Sequence, residues 1–311
     1  VAIINNAKLD CANTQITLSV TSNQINVSYE WNSGVNNPFV EVDNTDTNGF
    51  TYEVTVTNLD NGCSSTANAT IDIDIAIPTI TIPAVDQIDC IHTSQTLTAN
   101  VQVASGHVLS YLWNTGATNS QVVVSEGQIY ELMVTDETNH CSSINNLLVK
   151  KDVQMPKVSI PSVDQIDCIV LNQTLTAIPI ASHDVSYQWN DNSTANSLVV
   201  IEGNTYTVNI TDKVNNCTAS ASISVTKDVT NPTVSIPTVG QINCKDTSMI
   251  LSASATANHS INYLWNDNSN ESTLTVSEKN TYSVIVTDII NNCTASASLD
   301  VDKNVIAPTI S

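Results

Sequence analysis

From Cys293 onward the chain alternates with a period of two. Ala295, Ala297, Leu299 and Val301 are apolar, and Ser296, Ser298, Asp300 and Asp302 are polar. An equivalent stretch from Tyr206 reads the same way, with Tyr206, Val208 and Ile210 on one side and Thr207, Asn209 and Thr211 on the other. Alternation of this kind predicts half-buried antiparallel strands with one face in water. Asn-rich turns of hairpin length (Asn139-His140, Asn215-Asn216, Asn291-Asn292) precede the last strand. Upstream lies a Tyr-x-Trp strand in which Tyr111 and Trp113 share one face and Leu112 takes the other. Trp-Asn-Thr-Gly or Trp-Asn-Asp-Asn then turns the chain. Short β-branched strands between prolines (from Pro78, Pro156 and Pro232) open the pattern as edge strands. No window has a helical period.

The pattern occurs four times. Its tryptophans are Trp31, Trp113, Trp189 and Trp265, spaced by 82, 76 and 76 residues. The strand tyrosines are Tyr29, Tyr111, Tyr187 and Tyr263; a second set, Tyr52, Tyr130, Tyr206 and Tyr282, stands eleven residues before a cysteine. Such self-similarity predicts an array of one domain: repeats at 1–77, 78–155, 156–231 and 232–307, with 308–311 starting another. Six or seven short strands per repeat predict an all-β fold, a tandem array of four immunoglobulin-like antiparallel sandwiches. The chain reads as a segment of a longer protein, entered and left in mid-array.

Composition narrows the partners. Nine lysines, no arginine and thirty carboxylates give a formal charge of −21. Nucleic-acid binding through a basic face is excluded, as is attachment to an anionic membrane surface. No apolar run is long enough for membrane insertion as a helix. With 13% charged residues, the surface is built from Ser, Thr and Asn, as on secreted strand-rich proteins.

Eight cysteines fall two per repeat: Cys11 and Cys63, Cys90 and Cys141, Cys168 and Cys217, Cys244 and Cys293. Their constancy predicts pairing within each repeat, one disulfide each, closing loops of about fifty residues worth about 4 kcal/mol apiece. Metal ligation needs closer cysteine spacing or neighbouring histidines, and neither is present. Disulfides imply an oxidising compartment outside the cytoplasm.

The succession Cys, Tyr-x-Trp-Asn, Thr-Tyr-x-Val-x-Val-Thr-Asp, Asn-x-Cys, joined by phrases such as Thr226-Lys-Asp-Val-Thr-Asn-Pro-Thr-Val234, resembles the PKD/immunoglobulin-like repeats of giant Bacteroidota surface adhesins. It is similar in particular to gliding-motility and type IX-secreted adhesins, and the resemblance covers all four repeats. It implies secretion, display on the bacterial cell surface, and a stalk or filament role in adhesion. The Trp-Asp-Phe-Gly-Asp-Gly motif of PKD domains is absent, with Trp113-Asn-Thr-Gly nearest to it. The tyrosine-corner position of antibody domains, two residues before the second cysteine, holds Asn61, Asn139, Asn215 and Asn291.

Candidate chemistry is sparse. His107, His183 and His259 recur six residues before a tryptophan, with Ile25 in the first repeat. Each is alone in sequence and reads as a solvated loop residue, while His92 and His140 do not recur and take no role. Asp86, Asp89, Asp164 and Asp167, with Asp152 or Asp228, lie near the repeat junctions, where oxygen-rich sites can bind calcium. Turn-forming, solubilising aspartates are the competing reading. It is favoured because no Asp-x-Asp-x-Asp-Gly loop occurs and Asn243 replaces an aspartate in the last repeat. No cofactor is therefore expected. Serine and threonine fall on outward strand positions and no base recurs in all repeats, so no catalytic residue is assigned.

The chain thus reads as a non-enzymatic adhesive stalk whose partners are its neighbouring repeats, other surface proteins, glycans or host surfaces. The alternative is a ligand-binding array. In that reading each repeat, or above all the divergent first one with Phe39 and Phe50 in an enlarged segment from Val35 to Phe50, binds glycan or protein. Sugar stacking is the competing use of the recurrent Trp and Tyr residues, which at one Tyr-x-Trp per repeat read as core. Linkers such as Lys227-Asp-Val-Thr-Asn-Pro232 contain proline and no Gly/Ser spacer, so they are semi-rigid. Sandwiches about 35 Å long, four in line, predict a maximum dimension of roughly 140 Å by small-angle scattering. A value below about 90 Å would mean that the repeats fold back on one another.

Overall fold

Alternation in the sequence becomes strand in space throughout. The structure, a computed structural model, describes residues 1–4, 8–43, 45 and 51–307, and all regular elements among them are strands. Phe50 and Pro308 lie outside the described residues. Two compact units divide the chain, Val1–Val153 and Gln154–Ser311.

In the first unit, Val27–Trp31, Thr51–Asn58 and Ser64–Thr70 form a three-stranded antiparallel sheet. Across from it lie Ala2–Ile4, Gln15–Thr21 and Phe39–Asp43. The layout recurs downstream. Leu109–Trp113, Ile129–Asp136 and Ser142–Leu148 form one sheet. Gln95–Thr98 with Gln121–Val124, and Thr79–Thr81 with Asn100–Gln102, form the facing layer. In the second unit the three-stranded sheets are Val185–Trp189, Asn204–Asp212 and Thr218–Val225, then Ile261–Trp265, Asn280–Asp288 and Thr294–Val301. The second cysteine opens the last strand of each repeat.

One further pairing is parallel. Leu9 bridges Ile73, Ile88 bridges Lys151, Ile166 bridges Lys227, and Ile242–Asn243 lies beside Lys303–Asn304. The segment carrying the first cysteine therefore runs alongside the far end of its own repeat's last strand. Antiparallel sheets supplemented by this parallel edge contact make the layout immunoglobulin-like.

Among the described residues a buried hydrophobic cluster surrounds each tryptophan. Trp31, Trp113, Trp189 and Trp265 are each 1% exposed. Burying an indole requires a partner for its N–H. Each Nε1 donates to a backbone carbonyl six residues on, at Asn37, Asn119, Ala195 and Glu271, all at 2.9 Å. That carbonyl is delivered by the turn after the tryptophan. There Gly34, Gly116, Asn192 and Asn268 adopt left-handed φ of 70–86°, a conformation that glycine and asparagine tolerate. The asparagine following each tryptophan donates its side-chain amide across to the next strand, to the carbonyls of Thr51, Ile129, Thr205 and Thr281. The Trp-Asn signature is thus a corner fastened from both sides.

A tyrosine corner does exist, built from a different residue than the antibody position anticipates. The hydroxyls of Tyr130, Tyr206 and Tyr282 donate to the carbonyls of Glu126, Glu202 and Glu278, four residues upstream. They tie the strand start to the connection before it, as such corners do.

Because Trp113 and Leu112 occupy opposite faces, truncating them separates core from surface. Trp113→Ala is expected to cost about 3–5 kcal/mol in denaturant unfolding. Leu112→Ala, at a side chain 46% exposed, is expected to cost within about 0.5 kcal/mol.

Candidate functional site

The chemistry of the molecule gathers where one repeat meets the next. Its centre in the first unit is the turn Asp136-Glu-Thr-Asn139-His-Cys141. The Asp136 amide donates to the Cys141 carbonyl, and the His140 amide to the Asp136 carbonyl, at 2.8 and 2.7 Å. His140 sits at φ 59°, as Asn216 and Asn292 do at 56° in their turns. This left-handed position explains the asparagines before the cysteines.

The turn docks onto the preceding repeat. Cys141 is bonded to Cys11, 130 residues earlier, with their Cα atoms 5.0 Å apart. The Cys11 amide donates to the Asn139 carbonyl at 3.0 Å. Asn139, fully buried, donates its side-chain amide to Asp74 Oδ1 at 2.8 Å and to the Ala76 carbonyl at 3.0 Å. Its Oδ1 accepts from the Cys141 amide. Asp74 also meets Lys8 Nζ at 2.8 Å and His107 Nε2 at 3.4 Å. His107 Nδ1 reaches Asp136 Oδ2 at 2.5 Å, and His140 Nδ1 stands 3.3 Å from Asp10 Oδ2.

The second unit repeats the arrangement. Cys168 is bonded to Cys293, with Cα atoms again 5.0 Å apart, and the Cys168 amide donates to the Asn291 carbonyl at 3.1 Å. Asn291 Nδ2 donates to the Thr230 carbonyl, Asn292 Nδ2 to Asp167 Oδ2, and Gln165 Nε2 to the Ile290 carbonyl. His259 Nδ1 lies 3.0 Å from Asp288 Oδ2 and 3.8 Å from Asp228 Oδ2. His183 likewise lies 3.1 Å from Asp212 Oδ2 within its own repeat.

These contacts correct the expected pairing. Cys141 is bonded to Cys11 rather than Cys90, and Cys168 to Cys293 rather than Cys217. Cys63 and Cys244 are the free cysteines among the described residues, so the predicted Cys11–Cys63 and Cys244–Cys293 bridges do not form. The reason is geometric. Leu9, two residues before Cys11, lies beside Ile73, and Cys63 precedes Ile73 by ten residues of mostly extended chain. At about 3.3 Å per residue that is roughly 30 Å, whereas a disulfide needs Cα atoms within about 7 Å. The two cysteines of a repeat occupy opposite ends of its sandwich.

The histidines also differ from their solvated reading. The side chain of His107 is 12% exposed, and those of His183 and His259 about a third. Each faces an almost fully buried aspartate 29 residues further on. Burial alone would push the Asp136 carboxyl up; the His107 ring and the Thr138 amide outweigh it and hold the group below the ordinary carboxylate range. Burial acts the same way on Asp212 and Asp288. There the amides of Val214 and Asn215, and of Ile290 and Asn291, join His183 and His259 in outweighing it. Asp74 is held low chiefly by Lys8, then Asn139. His140, expected to have no role, touches Asp10 at the junction.

Of the calcium candidates, Asp89 and Asp167 are buried and Asp86 and Asp164 exposed. Asp89 Oδ1 accepts from the amides of Ile91 and His92, and Asp167 Oδ1 from those of Ile169 and Val170. Asp10 does the same for Ala12 and Asn13. Each thus caps the turn that presents a cysteine, and these amides hold Asp10 and Asp167 below the ordinary carboxylate range. The recurrent tryptophans, buried as described, are not sugar-stacking surfaces. Phe39 is 47% exposed on its strand.

No protein-family model matches the chain, and no curated protein matches it. Solved structures that it resembles include the N-terminal eight Ig domains of Down Syndrome Cell Adhesion Molecule, at 13% identity and TM-score 0.33. That match covers 93% of this chain and 52% of the other, so this chain spans about half its length. Sidekick-1 immunoglobulin domains 1–5 are similar at 12% identity and TM-score 0.30, over 94% of this chain and 78% of that one. The titin I-band fragment I67–I69 is similar at 10% identity and TM-score 0.39, over 75% of this chain and all of that fragment. The immunoglobulin-like layout rests on the strand pairing described above.

Asn139 provides a test with an internal control. Asn139→Ala removes the amide donor of Asp74 Oδ1 and of the Ala76 carbonyl in a part-buried junction. It is expected to cost about 2 kcal/mol in denaturant unfolding. Asn61→Ala removes only the bond to the Cys63 amide in an exposed turn and is expected to cost under about 1 kcal/mol. Equal losses would mean that the junction contacts contribute nothing.

Proposed function

We propose that the chain is a non-enzymatic structural and adhesive segment of a secreted surface protein, a stalk whose repeats are covalently joined to one another. The observation that carries this reading is the crossing of the repeat boundary by Cys11–Cys141 and Cys168–Cys293. In the loop-entropy model, closing loops of this size contributes about 5 kcal/mol per bridge. The mechanical effect is larger. A chain pulled from its ends carries force from Cys11 straight to Cys141, and from Cys168 straight to Cys293. The intervening residues, including all four tryptophans, are shielded. Without the first bridge, its 130-residue loop would lengthen to about 430–470 Å when unfolded.

Several features support this reading together. Disulfides belong to oxidising compartments, and no helix among the described residues is long and apolar enough to cross a membrane. The repeats resemble those of bacterial surface adhesins, and a surface of Ser, Thr and Asn suits display in the medium. On this reading the stalk holds an adhesive or gliding element away from the cell and passes tension without lengthening.

Force spectroscopy tests the mechanism. The oxidised chain is expected to lengthen only through the short stretches outside the bridges, such as the 27-residue step from Cys141 to Cys168. With reductant, each repeat is expected to release roughly 250 Å, about 3.4 Å per residue. Repeat-sized steps in the oxidised protein would sink the proposal.

A further inference from the structure

We infer that Cys63 and Cys244 are the two halves of one more cross-repeat cystine, formed between two copies of this four-repeat unit joined head to tail. The inference stands on the pairing rule rather than on the stalk reading. In both bridges the structure describes, the first cysteine of one repeat is bonded to the second cysteine of the next. Cys244 is a first cysteine and Cys63 a second one, so the rule makes them complementary to each other and not to themselves.

Both halves are already shaped for the bond. In the turn ending at Cys63, the Asn58 amide donates to the Cys63 carbonyl and the Gly62 amide to the Asn58 carbonyl. Asn61 Oδ1 accepts from the Cys63 amide at 3.0 Å, and Gly62 takes the left-handed position at φ 74°. These are the bonds of the turn ending at Cys141. At the other half, Asn243 Oδ1 accepts from the amides of Lys245 and Asp246, both at 2.8 Å. Asp10 and Asp167 present Cys11 and Cys168 in the same way. Exposure differs on the turn side alone: Cys141 and Cys293 are fully buried and Cys63 is exposed, whereas Cys244 is exposed as its bonded counterpart Cys11 is.

The residues around the two free thiols differ from the other copies in a matched way. On the turn side, the first repeat has Asn58 where Asp136, Asp212 and Asp288 stand, and Ile25 where His107, His183 and His259 stand. On the receiving side, the fourth repeat has Asn243 where Asp10, Asp89 and Asp167 stand, and Asn304 where Asp74, Asp152 and Asp228 stand. Two aspartates of the receiving face are thus replaced by asparagine, and the histidine and aspartate of the covering turn by Ile25 and Asn58. An aspartate there would be covered without its ring partner, which is costly, whereas an asparagine is served by neutral amides. Cys63 and Cys244 thus belong to a version of the junction that lacks the histidine–aspartate pairs of the others, with Lys245 and Asp246 on its receiving turn and Asp60 on its covering turn. Head-to-tail union of this kind is open-ended and builds filaments.

The bond forms by thiol–disulfide exchange. The two thiols give up two protons and two electrons, and a disulfide oxidant such as glutathione disulfide is reduced to two thiols. The oxidised 311-residue chain is expected to form a ladder of oligomers, with Cys63–Cys244 as the linking peptide pair. Cys63→Ser alone and Cys244→Ser alone are expected to stay monomeric, and a mixture of the two to give a single dimer. Symmetric dimers of either variant, a bridge closed within one monomer, or chains that remain monomers with free thiols would each overturn the inference. Peptide mapping of the protein from its source distinguishes copies in tandem on one polypeptide from copies on separate ones. Free Cys63 and Cys244 in that material would overturn it as well.

Discussion

The parallel contact between the first-cysteine segment and the end of the last strand decides the rest of the architecture. Leu9 against Ile73, repeated as Ile88 against Lys151 and Ile166 against Lys227, fixes one cysteine at the foot of each sandwich. The antiparallel hairpin before the last strand fixes the other at its head. Once the two are a sandwich length apart, a repeat cannot close its own bridge and must use a neighbour. Everything polar at the junction then follows from burying that bond. The turn needs a left-handed residue, its asparagine needs carbonyls across the boundary, and its aspartate needs a histidine.

Much of this was legible in the sequence. Period-two alternation around Val208 and Leu299 fixes strand faces because one side is buried and the other wet. The Trp-Asn corner is legible too, since a buried indole demands a carbonyl that only a tight turn supplies. The pairing of the cysteines was not, because spacing within a repeat says nothing about which end of the sandwich each occupies. A signal was present nevertheless. The second cysteine opens a strand of seven or eight residues, and the first sits in the segment that pairs with that strand's far end.

The histidines show a different limit. His107, His183 and His259 look solitary because their partners lie 29 residues away. The constancy of that interval, and the joint replacement of both partners by Ile25 and Asn58, carried the information. Partnership across strands shows itself as correlated change between repeats rather than as a local motif. The tyrosine corner was missed similarly, since the bond of Tyr130 to Glu126 depends on how the connection before the strand doubles back.

The roughly 30 Å between Cys11 and Cys63 also bears on the order of events during maturation. Cys63 is the nearer cysteine along the chain and, in an unfolded segment, the more probable partner by loop length alone. Cys141 emerges much later. A correct bridge therefore requires the first sandwich to be complete before its thiols are oxidised, so that its own second cysteine has been carried out of reach. Oxidation that outpaces folding would trap each repeat in a bond its native state cannot hold. The compartment in which this chain matures must therefore keep disulfide exchange reversible until the next repeat has arrived.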